Sequence, residues 1–209
     1  MTDETPSLSR QMFQTALKLS AFVVIAVTLL TAVWLLTAGP IKKAEKQALI
    51  KTLQQVMPAD HYDNDLLTDT FTYTPPDHMN TDQPLTVYRA RKNNEPAGLV
   101  IKTVTQRAYN PNMHILIGVD VNGQILGVRV IKHAETPGLG DKIDPEKSDW
   151  ITEFNGKHLG APPIDQWTVK KHGGAFDQFT GATITPKAVV ETVRDVLKLI
   201  KSQGDALYE

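Results

Sequence analysis

Cysteine is absent from all 209 residues, which excludes disulfides, thiolate nucleophiles and cysteine-ligated iron–sulfur clusters. That absence leaves the compartment open, because either side of a bacterial membrane tolerates a cysteine-free protein. An excess of charge of either sign is missing too. With 22 lysines and arginines against 23 acidic residues and a net charge of −1, the chain carries no basic footprint for nucleic acid. His61 and His78 stand at no metal-ligand spacing from another His or Cys and read as solvated loop residues. The chain has no nucleophile elbow, no HExxH pair and no P-loop, and spacing alone brings no two carboxylates together. No catalytic or metal-binding residue is therefore assigned, and hard chemistry would have to come from a bound cofactor.

Charge is scarcest between Leu19 and Gly39, a stretch of about twenty uncharged residues long enough to cross the hydrocarbon core as a helix. It exceeds the apolar region of a cleaved signal peptide and shows no small-x-small cleavage site, so it reads as an uncleaved anchor. Trp34 suits the far interface and Pro40 marks the exit. Five segments follow: an N-terminal cytoplasmic segment 1–18, a transmembrane helix 19–39, a stalk helix 40–57, an extracytoplasmic domain 58–203 and a loose tail 204–209. Ile41, Ala44, Ala48, Leu49, Leu53 and Val56 recur at helical spacing, and the stalk is expected to pack this stripe on its own domain. Arg10 and Lys18 precede the span, while Lys42, Lys43, Lys46 and Lys51 follow it. The positive-inside count thus favours a cytoplasmic domain, although a domain of roughly 170 residues translocates largely regardless of flanking charge.

Asp60 to Asn80, interrupted by Pro75-Pro76, predicts a connection with little regular structure. Strands are predicted at 85–90, 97–104, 114–121 and 124–132, with a turn at 92–96 and a hairpin at Asn122-Gly123. Further along come a short helix over 145–154, a strand over 167–170 and a helix over 186–202. That last helix carries one apolar stripe: Val189, Val190, Val193, Val196, Leu197 and Ile200. The pattern predicts an α+β fold: a single N-terminal transmembrane helix and one domain with an antiparallel sheet and packed helices.

One stretch stands apart: Asp177-Gln178-Phe179-Thr180-Gly181-Ala182-Thr183-Ile184-Thr185, running into Pro186. Gly181 permits a tight turn, Ala182 is minimal, and Thr180 and Thr183 present hydroxyls. Thr185 reads as a helix N-cap and Pro186 as the first helical residue, which sets unpaired N–H groups and a positive dipole end beside Thr183. A phosphate ester there would be electrostatically favourable. The pattern Asp-x-x-Thr-Gly-Ala-Thr would arise by chance in only about one chain in a few thousand of this length. A second patch, Glu135-Thr136-Pro137-Gly138-Leu139-Gly140-Asp141-Lys142, has the composition of a rigid loop near a ligand.

The first motif resembles the recognition sequence of flavin transferases, which split FAD and leave FMN joined by a phosphodiester to the last threonine, here Thr183. Both patches together resemble the FMN-binding domain of two related proteins: the RnfG subunit of the Rnf (Rsx) ion-translocating oxidoreductase complex and the NqrC subunit of the sodium-pumping NADH:quinone oxidoreductase. The former fits better through His133 to Ile143, Ser148 to Ile151 and Asp177 to Pro186.

That resemblance covers nearly the whole chain and implies a flavoprotein and phosphoprotein of the bacterial inner membrane, with its domain on the periplasmic side. Its role would be electron transport within an ion-transporting translocase that couples a ferredoxin/NADH type of electron transfer to cation movement. It implies Glu135, Thr136 and Leu139 near the isoalloxazine ring, Thr180, Gly181 and Ala182 shaping the attachment turn, Thr185 beside the phosphate, and Asp177 in transferase recognition. Implied partners are the other membrane subunits and the transferase. Two readings of other classes stay open: a colourless, non-redox anchored assembly or binding module, and a free-standing flavin reductase.

Overall fold

The computed structural model describes residues 8–208. Residues 1–7, the start of the expected N-terminal segment, and Glu209, the end of the expected tail 204–209, lie outside it. The chain divides into two units, residues 1–49 and 50–209.

Helix α1 (Leu8–Val56) is a single helix with Pro40 inside it. The expected exit at Pro40 is not a break, and the helix begins within the segment assigned to 1–18. α1 is long and apolar enough to cross a membrane, the one such helix among the described residues. From Leu19 to Leu36 its large apolar side chains are exposed. Of the stalk stripe, Ile41, Ala44 and Ala48 are also exposed, and only Leu53 and Val56 are buried.

In the second unit, β1 (Thr70–Tyr73), β2 (Leu85–Lys92), β3 (Glu95–Thr105), β4 (Met113–Asp120) and β5 (Ile125–Lys132) form one antiparallel meander in chain order. β1 falls inside the stretch expected to be irregular; it is a four-residue edge strand paired only with β2. Both expected hairpin connections form, at 92–96 and at Asn122-Gly123. The two-residue type I′ turn is Asn93-Asn94, with φ of 53° and 67° closing the Lys92–Glu95 pair. At Asn122-Gly123 the loop is longer: Gly123 N–H donates to the Asp120 carbonyl, and the Asp120 carboxylate accepts from the N–H groups of Asn122 and Gln124.

The register Val87, Ile101, Ile117, Val128 lays one apolar row across four strands. This face meets α2 (Ile184–Tyr208), whose predicted stripe is buried throughout. Each such aliphatic side chain contributes roughly 1.5–3 kcal/mol on full burial. The opposite face carries Gly98, Gly118 and Gly127. A Cβ at Gly118 or Gly127 would run into backbone at Val56 or Gln55, so the glycines admit the last turn of α1 against the sheet.

Residues 204–208, expected as a loose tail, continue α2, and Leu207 is fully buried. Two β2 cations hold that end. Arg89 Nε donates to the Leu207 carbonyl and an Arg91 guanidinium nitrogen to that of Tyr208, at 3.2 and 2.9 Å, and both arginines pair with Asp69.

The strand expected at 167–170 does not form. Two 3₁₀ turns, 164–166 and 170–172, bracket it, leaving one isolated bridge from Val169 to Phe176. The segment serves packing instead: Trp167, Phe154, Phe176, Trp150 and Phe179 make a cluster with ring centroids 4.8–6.5 Å apart. The helix expected over 145–154 is a 3₁₀ segment, Asp149–Phe154, capped by the Ser148 hydroxyl.

Candidate functional site

Two glycine turns build the site. In Thr136-Pro137-Gly138-Leu139, Leu139 N–H donates to the Thr136 carbonyl, and Gly138 has φ of +78°. Proline then glycine at the two central positions is the sequence that a type II turn requires. In Phe179-Thr180-Gly181-Ala182 the same bond joins Ala182 N–H to the Phe179 carbonyl, with Gly181 at φ +83°. The two turns face each other across a cavity of about 260 Å³.

That cavity brings together Glu135, Thr136, Leu139, Gly181, Ala182, Thr183 and Thr185 from the two sequence patches. It adds Tyr109, Gly140 and Ile184, to which sequence reasoning assigns no role at the site. Tyr109 belongs to a loop before a strand, with no local signal to mark it. Thr180 and Asp177 do not line the cavity. Thr180 is exposed, and Asp177 borders a separate hollow with Trp150, Glu153 and Phe179.

α2 begins at Ile184, and the Thr183 carbonyl accepts the first intrahelical bond, from Lys187 N–H. Thr183 itself is thus the N-cap, and Pro186 is the third helical residue, not the first. The N–H groups of Ile184 and Thr185 open the helix, where no preceding turn supplies a carbonyl for them. Thr185, expected as the cap, is buried, and its hydroxyl donates instead to Glu135 Oε2 at 2.5 Å. A tertiary contact fifty residues away in sequence has taken over its side chain.

Glu135 is only 6% exposed. Its Oε1 accepts from Asn110 N–H at 3.1 Å, while the Asn110 amide donates to the Ala134 carbonyl. Among the described residues no Lys, Arg or His forms an ion pair with it. His133 is turned elsewhere: its Nε2 lies 3.1 Å from Asp144, and its Nδ1 accepts the Glu135 backbone N–H. That acceptor role sets the Nε2–H tautomer. Gly140 packs over the Glu135–Thr185 bond so closely that a Cβ would sit 2.6 Å from Glu135 Oε2 and 3.0 Å from Thr185 Oγ1.

The rim is apolar. After Ile41 only five large hydrophobic side chains among the described residues are strongly exposed, and three of them, Tyr109, Leu139 and Ile184, surround this cavity. Exposed apolar groups gathered at a concave mouth suit a flat, partly apolar ligand. Helix-opening N–H groups and the Thr183 hydroxyl suit a phosphate at one edge. The residues present therefore fit FMN.

In the second hollow, the Asp177 carboxylate forms an exposed ion pair with Lys170, and its backbone carbonyl accepts from Trp150 Nε1 at 2.9 Å. Burial, and secondarily the charge of Asp177, pushes the Glu153 carboxyl above its ordinary value.

The family model described as the FMN-binding domain matches residues 108–198, which include both walls of the cavity, and the model of the RnfG N-terminal region matches residues 1–56. The RnfG subunit of the ion-translocating oxidoreductase complex from Shewanella baltica is 40% identical over 190 residues, 91% of this chain and 90% of the relative. Its counterpart in Shewanella piezotolerans is 42% identical over 187 residues, 90% and 88% of the two chains. That of Vibrio cholerae is 39% identical over 190 residues, 91% and 90%. A crystal structure of NqrC from Shewanella oneidensis is 19% identical, covering 69% of this chain and 74% of that one with a TM-score of 0.47. With its N-terminal region, its FMN-binding domain and relatives aligned over nine-tenths of its length, the chain belongs to the RnfG family of ion-translocating oxidoreductase subunits.

Proposed function

We propose that this protein is the membrane-anchored FMN carrier of such a complex, with the flavin linked through its phosphate to Thr183 Oγ1. The observation that carries this reading is the meeting of two sequence-distant turns at one apolar-rimmed cavity, with the N-cap hydroxyl of α2 on its lip. FMN held there supplies a redox centre that accepts and returns electrons; the chain supplies attachment, orientation and electrostatics. Thr183 provides the esterified oxygen. The opening N–H groups of α2 would offer hydrogen bonds to the phosphate, and the exposed Tyr109, Leu139 and Ile184 would cover apolar ring surface. An ester retains the cofactor on the outer side of a membrane, where a dissociating flavin would be lost to dilution.

The domain is read as periplasmic, in keeping with the family resemblance and against the lysine count after the span. Because the chain has no cysteine of its own, one cysteine introduced at an exposed site such as Val121 reports topology directly. Labelling of intact cells by a membrane-impermeant maleimide is expected, and labelling only after lysis would reverse the assignment.

The central test is intact mass after co-expression with a flavin transferase, followed by peptide mapping under denaturing conditions. An FMN-sized addition on the peptide containing Thr183 is expected. Unmodified protein from a host that flavinylates a control substrate would return the chain to a non-redox role.

A further inference from the structure

We infer that Glu135 is a redox-tuning residue: its buried carboxylate, ion-paired with none of the described residues, holds the reduction potential of the flavin below the value the cavity would otherwise set. This rests on the FMN reading above and gives a role to a side chain that otherwise only forms part of the wall. Glu135 lines the cavity at 6% exposure. Its two partners, the Thr185 hydroxyl and Asn110 N–H, are neutral donors that hold a carboxylate in place without cancelling its charge. His133 does not pair with the Glu135 carboxylate: its Nε2 lies 3.1 Å from Asp144, and its Nδ1 accepts a hydrogen bond from the Glu135 backbone N–H. Gly140 seals the pair from above, and any side chain there would displace it.

Two-electron reduction of a flavin at neutral pH takes up two electrons and one proton, leaving one additional negative charge on the ring system. A fixed negative charge beside the ring opposes that gain. At an effective dielectric of about 20, one unit charge on the wall of a ligand cavity changes such an equilibrium by on the order of tenfold. The field is stronger in a water-poor cavity than at a surface.

The experiment is a spectroelectrochemical titration of the full-length, flavin-loaded protein in detergent, reduced with dithionite, which is itself oxidised to sulfite. Glu135→Gln keeps the shape and removes the charge. Its reduction equilibrium constant is expected to rise about tenfold, about 30 mV for a two-electron couple. Glu135→Asp restores the charge and should return the potential toward wild type. An unshifted or lowered potential in loaded Glu135→Gln overturns the inference, as does an equal rise in Glu135→Asp, which would mark packing rather than charge. Should Glu135→Gln fail to fold or load, the wild-type reduced-minus-oxidised infrared difference spectrum decides: perturbed carboxylate stretches support the inference, and none overturns it. Wild-type protein that carries no flavin would instead sink the FMN reading, a separate result.

Discussion

Two hollows flank the stretch Asp177–Thr185, and they differ in kind. The one beneath Thr183 is narrow, rimmed by apolar side chains and floored by a buried carboxylate locked between a hydroxyl and a backbone amide. The one beside Asp177 is open, and its charges lie near solvent, with Asp177 in an exposed pair with Lys170. Phe179 separates them, edge-on to Trp150 with centroids 5.1 Å apart. A single seven-residue motif thus turns its threonine to one side and its aspartate to the other. Under the proposed function, the narrower hollow would hold the cofactor and the open one would admit the attaching enzyme.

The sharpest way to break the contrast is at Thr183. Thr183→Val keeps the β-branched shape and removes the hydroxyl. Covalent flavin is expected to vanish entirely by denaturing gel fluorescence, with melting temperature close to wild type. Yellow, covalently labelled mutant protein would move the linkage to another residue.

Next in size is the packing of the enclosed hollow. Gly140→Ala sets a Cβ against Glu135 and Thr185 and should cost roughly 1–3 kcal/mol in chemical denaturation, the usual penalty of overpacking. Gly138→Ala meets open space and only a positive φ, so it should cost about 1 kcal/mol. Equal losses at the two positions would mean that the hollow is not tightly packed around Glu135.

The smallest effects belong to the open side. Asp177→Asn removes an exposed, solvent-screened ion pair, so stability should hold while flavin attachment by the transferase slows; unchanged attachment kinetics would free Asp177 of the proposed recognition role. In that variant the Glu153 carboxyl, raised by burial first and Asp177 second, should titrate lower by NMR yet stay above an ordinary glutamate. A carboxyl raised on folding contributes stability that is complete below its unfolded value of about 4.3 and is lost as pH rises through its folded value. Glu153→Gln should therefore flatten a decline in stability that sets in as pH rises above that unfolded value, read from thermal melts over a pH series.

Several sequence expectations failed for one reason: a tertiary partner overrode a local signal. Thr185 has the chemistry of a cap but bonds Glu135, and the cap position passes to Thr183. The alternation at Trp167–Lys170 suggests a strand, yet Trp167 is fully buried in an aromatic cluster that no ladder could accommodate. Gly204 and the polar residues near it suggest an end, but Arg89 and Arg91 bind the carbonyls of residues 207 and 208 and keep α2 wound.

What the amino-acid sequence determined by itself is whatever short range decides: the apolar span, the four long strands, the stripe of α2, and the two glycine turns whose positive φ angles few other residues tolerate. Family membership was legible at that level as well, since the two flavin patches are contiguous words. Only the tertiary structure decided which sides those words face. The joining of Glu135 to Thr185, the entry of Tyr109 into the rim and the parting of Asp177 from Thr183 depend on how α2 lies against the sheet. That is settled by long-range burial of aliphatic and aromatic surface, which no local pattern along the chain encodes.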